Sequence, residues 1–68
     1  MYTTHNYKTK KALIADFKAG EKVTCYQPGP FAQAGGYTGE YTIEGPHGYH
    51  TWYCRVVLHD GVIVKILP

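Results

Sequence analysis

Hydrophobic and polar positions recur with two different periods along this chain. Between Lys10 and Ala19, residues Leu13, Ile14 and Phe17 fall at i, i+1 and i+4, which gathers one apolar stripe on a helix. Thr9 is placed to cap its start, where a side-chain oxygen accepts from a free backbone N–H. Gly20 follows, and glycine readily takes the left-handed residue that ends a helix. A helix of about ten residues is marginal alone in water, so this one must dock on something.

After Gly20 the period becomes two. A first strand is predicted over Lys22–Gln27, with Val23 and Cys25 on one face and Thr24 and Tyr26 on the other. A second runs over Tyr37–Glu44, with Tyr41 and Ile43 inward and Glu40, Thr42 and Glu44 outward. Thr51–Leu58 and Val62–Leu67 form a hairpin. A three-residue loop, His59-Asp60-Gly61, sets Leu58 opposite Val62. It puts Trp52, Cys54, Val56, Leu58, Val62, Val64 and Ile66 on one face, and Tyr53, Arg55, Val57, Ile63, Lys65 and Leu67 on the other. A two-residue loop would mix these sets, and burial selects the register that separates them. The segment from Pro28 to Gly36 holds two prolines and three glycines and reads as a loop.

The expectation is an α+β fold in which a single N-terminal helix packs on a small antiparallel sheet of three to four strands, in the order αββββ. Residues 1–8 read as a flexible arm and 9–68 as one domain. A strand at the sheet edge, the first or the second, offers itself to a second copy, so a homodimer through an edge strand is among the expected assemblies.

Length bounds the fold. A chain of 68 residues allows one core and leaves stability marginal without aromatic packing, a metal, a disulfide or a partner. Aromatics are plentiful, with Trp52, Phe17, Phe31 and seven tyrosines. The net charge of +2 argues against a dense nucleic-acid footprint and against an acidic DNA mimic. No stretch is apolar enough to span a bilayer, and Met1–Tyr7 lacks a signal-peptide core, so no membrane contact and a cytoplasmic location are expected. There Cys25 and Cys54 stay reduced.

The densest chemistry lies in Glu44-Gly45-Pro46-His47-Gly48-Tyr49-His50-Thr51-Trp52-Tyr53-Cys54. Cys25, His47, His50 and Cys54 together make a donor set that zinc accepts, although their spacing matches no common finger. A zinc-stabilised interaction module is therefore one reading, and two buried cysteines in a core with no cofactor is the plainer one. Cys54 with His50 or His47 resembles a thiolate pair, but a thiol under the helix is inert. No orienting third residue is evident, and no enzyme is expected. Tyr53, Arg55, Lys65 and Tyr26 mix aromatic and basic groups as single-strand nucleic-acid binders do. Lys10 and Lys11, in the first helical turn, read as solvated surface or as contacts to an acidic partner. The loops 28–36 and 45–51 together offer Phe31, His47, Tyr49 and His50, residue types that binding surfaces favour.

Five segments carry a resemblance: Lys8-Thr9-Lys10-Lys11-Ala12-Leu13, Gln27-Pro28-Gly29-Pro30-Phe31, Glu44-Gly45-Pro46-His47, His50-Thr51-Trp52-Tyr53 and Asp60-Gly61-Val62-Ile63-Val64-Lys65. They look like a family of small uncharacterised proteins encoded by bacteriophages, plasmids and other mobile elements of bacteria. The resemblance implies no activity and no site residues. It implies a small non-catalytic protein in the host cell cytoplasm that modulates or inhibits a host or defence protein, of the anti-defence type such as an anti-CRISPR.

Overall fold

In a computed structural model, residues 1–27 and 36–68 are described. Phe31 and the loop expected over 28–36, Gly36 excepted, lie outside the described residues. The helix α1 spans Lys10–Lys18. Thr9 is extended, and its Oγ1 accepts from the Ala12 N–H at 3.1 Å. At the other end Ala19 N donates to Ala15 O and Gly20 N to Phe17 O, with Gly20 at φ +87°. The apolar stripe works as its spacing predicts: Leu13 is fully buried and Phe17 packs against the core. Burying one leucine is worth about 1.5–3 kcal/mol, which is what fastens so short a helix.

The strands are β1 (Tyr2–Thr3), β2 (Cys25–Tyr26), β3 (Gly39–Gly45), β4 (Trp52–His59) and β5 (Val62–Ile66). They form an antiparallel pair β1-β2 and an antiparallel sheet β3-β4-β5. One short helix on a small antiparallel sheet system makes the α+β class. Ile43, Trp52, Cys54, Val56 and Leu58 turn inward and build the core with Leu13 and Val23.

Two expectations need correction. The first is the hairpin. Leu58 pairs with Ile63 and His59 with Val62, so the turn has two residues. Asp60 and Gly61 both take positive φ, +51° and +80°, the primed-turn geometry that Asp-Gly favours and that follows strand twist. Strong local turn chemistry thus overrides the register chosen from the face pattern. The mismatch is absorbed by a bulge: Val57 then pairs with Lys65 and Val56 with Ile66, leaving Val64 as the extra residue. Ile63 is buried and Val64 is 55% exposed, the reverse of the predicted faces.

The second is the N-terminus. Residues 1–8, expected as an arm outside the domain, contribute β1, and the order becomes βαββββ. Tyr2 pairs with Tyr26 and Thr3 with Cys25. Met1, Thr3 and Tyr7 are buried, because a core this small draws on every apolar group within reach. Their polar atoms are satisfied: Thr3 Oγ1 donates to His5 O at 2.7 Å, and Tyr7 OH donates to Asp16 Oδ2 at 2.8 Å. The Tyr7 carbonyl in turn accepts from Trp52 Nε1 at 3.1 Å.

The strand predicted over Lys22–Gln27 shortens to β2, and it is not an edge. Cys25 N donates to Gly61 O, Ile63 N donates to Val23 O, and Thr24 bridges Val62. On the far side Glu44 N donates to Met1 O at 3.0 Å. Backbone hydrogen bonds therefore connect β1 to β2, the β2 segment to β5, β5 to β4, β4 to β3 and β3 back to β1. Among the described residues, no helix is long and apolar enough to cross a membrane.

Candidate binding surface

The β3–β4 connection is held by its own backbone and by β1. The Gly45–Pro46 peptide is cis, and the Pro46 carbonyl accepts from both Tyr49 N and His50 N, at 3.0 and 3.1 Å. His50 takes φ +53°, a conformation rare outside glycine and fixed here by its neighbours. His47 N donates to Asn6 Oδ1 at 2.8 Å. His47 Nε2 lies 2.8 Å from Thr3 O. A carbonyl only accepts, so this nitrogen carries a proton and donates. His50 Nε2 is hydrogen-bonded to Tyr2 OH.

The rings follow the same plan. Tyr2 sits at the centre, its centroid 5.0 Å from His47, 5.2 Å from His50 and 6.0 Å from Tyr26. Tyr26 meets His47 edge-on at 6.2 Å. These are favourable aromatic separations, each contributing about 0.5–1.5 kcal/mol beyond burial. The loop histidines thus dock on β1 and β2, and between them the chain lifts Tyr49 into solvent, where it is 80% exposed. Tyr26, in the ring cluster with Tyr2 and His47, is 40% exposed.

Of the residues predicted for binding, the structure unites His47, Tyr49 and His50. Among the described residues, no hydrogen bond, ion pair or ring contact joins Tyr53, Arg55, Lys10 or Lys11 to them. Tyr53 is 57% exposed on β4, opposite Glu44. Arg55 is exposed and held by Glu40, whose Oε1 accepts from both Nε and Nη2. Lys10 and Lys11 are exposed in the first turn of α1. Phe31 lies outside the described residues. Tyr26 was expected beside Tyr53 and Arg55, and it meets Tyr2 and His47 edge-on instead. Tyr2 was missed: one aromatic in a polar run carries no periodicity.

The four candidate zinc ligands are not gathered. Cys25 and Cys54 are buried in the core as free thiols, whereas His47 and His50 spend their Nε2 atoms on β1. Among the described residues, no three His, Cys, Asp or Glu side chains are grouped to hold a metal ion. Burial pushes the Cys25 thiol up to about 12, with Cys54 adding to the rise and the Met1 amine opposing it. Burial likewise raises Cys54, against a smaller opposing pull from Lys10. Neither thiol is activated as a nucleophile. The Met1 amine also lies 3.4 Å from the Glu44 carboxylate, which ties β1 to β3 at the edge of this surface. No protein-family model, no curated protein and no solved structure matches the chain.

Proposed function

We propose that this chain is a small non-catalytic binding protein whose recognition surface is the β3–β4 loop with Tyr2 and Tyr26, and whose partner is a protein. The observation that carries the reading is Tyr49: it is 80% exposed on a loop whose flanking histidines are both locked onto β1. A rigid exposed tyrosine offers large contact area at little entropic cost, and preorganisation of this kind favours affinity. The likeness to proteins of mobile elements directs the search to a host or defence component that this chain modulates or inhibits. A non-catalytic role agrees with raised, buried thiols and with histidines whose Nε2 atoms are already engaged.

Single-stranded nucleic acid draws less support. Its chief basic residue, Arg55, is already paired with Glu40. The experiment that separates the two is capture from bacterial lysate on immobilised protein, with half of the lysate treated with nuclease. A protein retained equally in both halves supports the proposal. Capture that vanishes with nuclease, together with oligonucleotide binding that weakens steeply with salt, supports the nucleic-acid reading instead.

A further inference from the structure

In an antiparallel ladder each residue bonds to one neighbouring strand only, and the side alternates along the chain. Glu44 N donates outward, to Met1 O, and so does not bond to β4. The β3–β4 register runs unbroken from Gly39↔Leu58 to Gly45↔Trp52. Thr42 and Glu40 therefore share the parity of Glu44, and their N–H and C=O groups also point away from β4. The partner strand agrees: Arg55, opposite Thr42, gives its carbonyl to Leu67 N at 2.9 Å and not to β3. Met1 occupies the outer edge of β3 at Glu44. Among the described residues nothing bonds to that edge at Glu40 or Thr42.

We infer that this edge pairs with the same edge of a second copy of the chain, antiparallel and centred on Tyr41. At that register Glu40 faces Thr42 of the second copy, and Thr42 faces its Glu40. Both are outward-bonding positions, so four backbone hydrogen bonds form. Tyr41 meets Tyr41 of the second copy at the non-hydrogen-bonded site, where side chains approach most closely and aromatic pairs gain. The competing register, centred on Thr42, sets Glu40 against Glu44 of the other copy, and like charges directly opposite are unfavourable. Charge thus selects the Tyr41 register. Met1 ends the pairing at Glu44, so the contact is short and the dimer weak.

Sedimentation of the full chain across a concentration series tests this. The expected result is a reversible dimer that forms as concentration rises toward roughly 1 mM, with Glu40 and Thr42 amides gaining protection from exchange only as it forms. Thr42→Pro removes an outward N–H, a substitution an edge position accepts, and yields a monomer. Thr42→Glu sets like charges across the interface and weakens the dimer, and adding Glu40→Lys to it restores association. These charge variants decide the matter if the proline variant does not fold. A wild-type chain that stays monomeric throughout overturns the proposal. So does a dimer that Thr42→Glu leaves unchanged, or one that Glu40→Lys alone strengthens, since that last result marks the Thr42-centred register.

Discussion

Trp52 packs against the bare Cα of Gly45, its partner across β3 and β4, so closely that a Cβ on residue 45 would fall 2.6 Å from Cε2 and 3.0 Å from Nε1. The same indole donates to Tyr7 O and so holds the segment between β1 and α1. Gly45 is therefore required by contact. Gly45→Ala is expected to displace the indole and to destabilise the fold by about 1–3 kcal/mol, the usual cost of overpacking. Thermal melting checks this, with a fall of roughly 4–8 °C per kcal/mol for a domain of this size. An unchanged melting temperature would mean that residue 45 has room that this packing denies it.

Tyr7 makes stability depend on alkaline pH. Burial, the hydrogen bond to Asp16 and the nearby negative charges push its hydroxyl from 10.0 up to about 12. A raised folded value means that the protonated form is the one favoured by folding. Its contribution is complete below pH 10.0 and is lost as pH rises through about 12. Cys25, raised from 9.0 to about 12, acts in the same direction from pH 9.0 upward. The combined loss is on the order of a few kcal/mol. Tyr7→Phe is expected to cost about 1 kcal/mol at neutral pH and to flatten the decline above pH 10.0. Denaturant titrations at stepped pH measure both effects, and an equally steep decline in the variant would contradict the assignment.

Cys25 and Cys54 are expected to resist thiol reagents in the folded chain and to react fully once it unfolds, because the thiolate is the reactive form and burial suppresses it. A disulfide-exchange reagent followed with and without denaturant gives the answer. Rapid reaction of either thiol under native conditions would show that the core opens at that site.

His47 ties the loop to β1, so His47→Ala is expected to cost about 1 kcal/mol for the lost bond to Thr3 O. The loss should be local first. Hydrogen exchange at the Thr4 and Glu44 amides, which bond to Thr24 O and Met1 O, should speed up while the amides of β4 keep their protection. Uniform loss of protection would show instead that β1 opens only with the whole domain.

Much of this fold is legible in the sequence, and the gaps have physical causes. Leu13 and Phe17 mark the helix face, and Thr9 and Gly20 mark its ends, because helix periodicity and caps are local signals. Ile43, Trp52, Cys54, Val56 and Leu58 mark the core for the same reason in strands. Val64 was misplaced because the two-residue Asp60-Gly61 turn sets Ile63 beside Leu58, and the bulge that returns Ile66 to the core side leaves no trace in an alternating pattern. Tyr2 and Thr3 were missed because a two-residue strand is too short to show a period. The loop histidines stood out by composition, whereas their partner Tyr2 follows from β1 and so became visible only with it.

The proposed binding surface depends most heavily on Tyr49, a contact residue that the fold does not need. The direct measurement is Tyr49→Ala beside the wild-type chain, comparing the melting temperature of each and the amount of nuclease-resistant protein each captures from the same lysate, quantified by mass spectrometry. The predicted result is a stability within about 0.5 kcal/mol of wild type, as for an exposed side chain, with capture of the partner largely lost. Full capture by the folded variant would contradict it, and so would a variant that fails to fold.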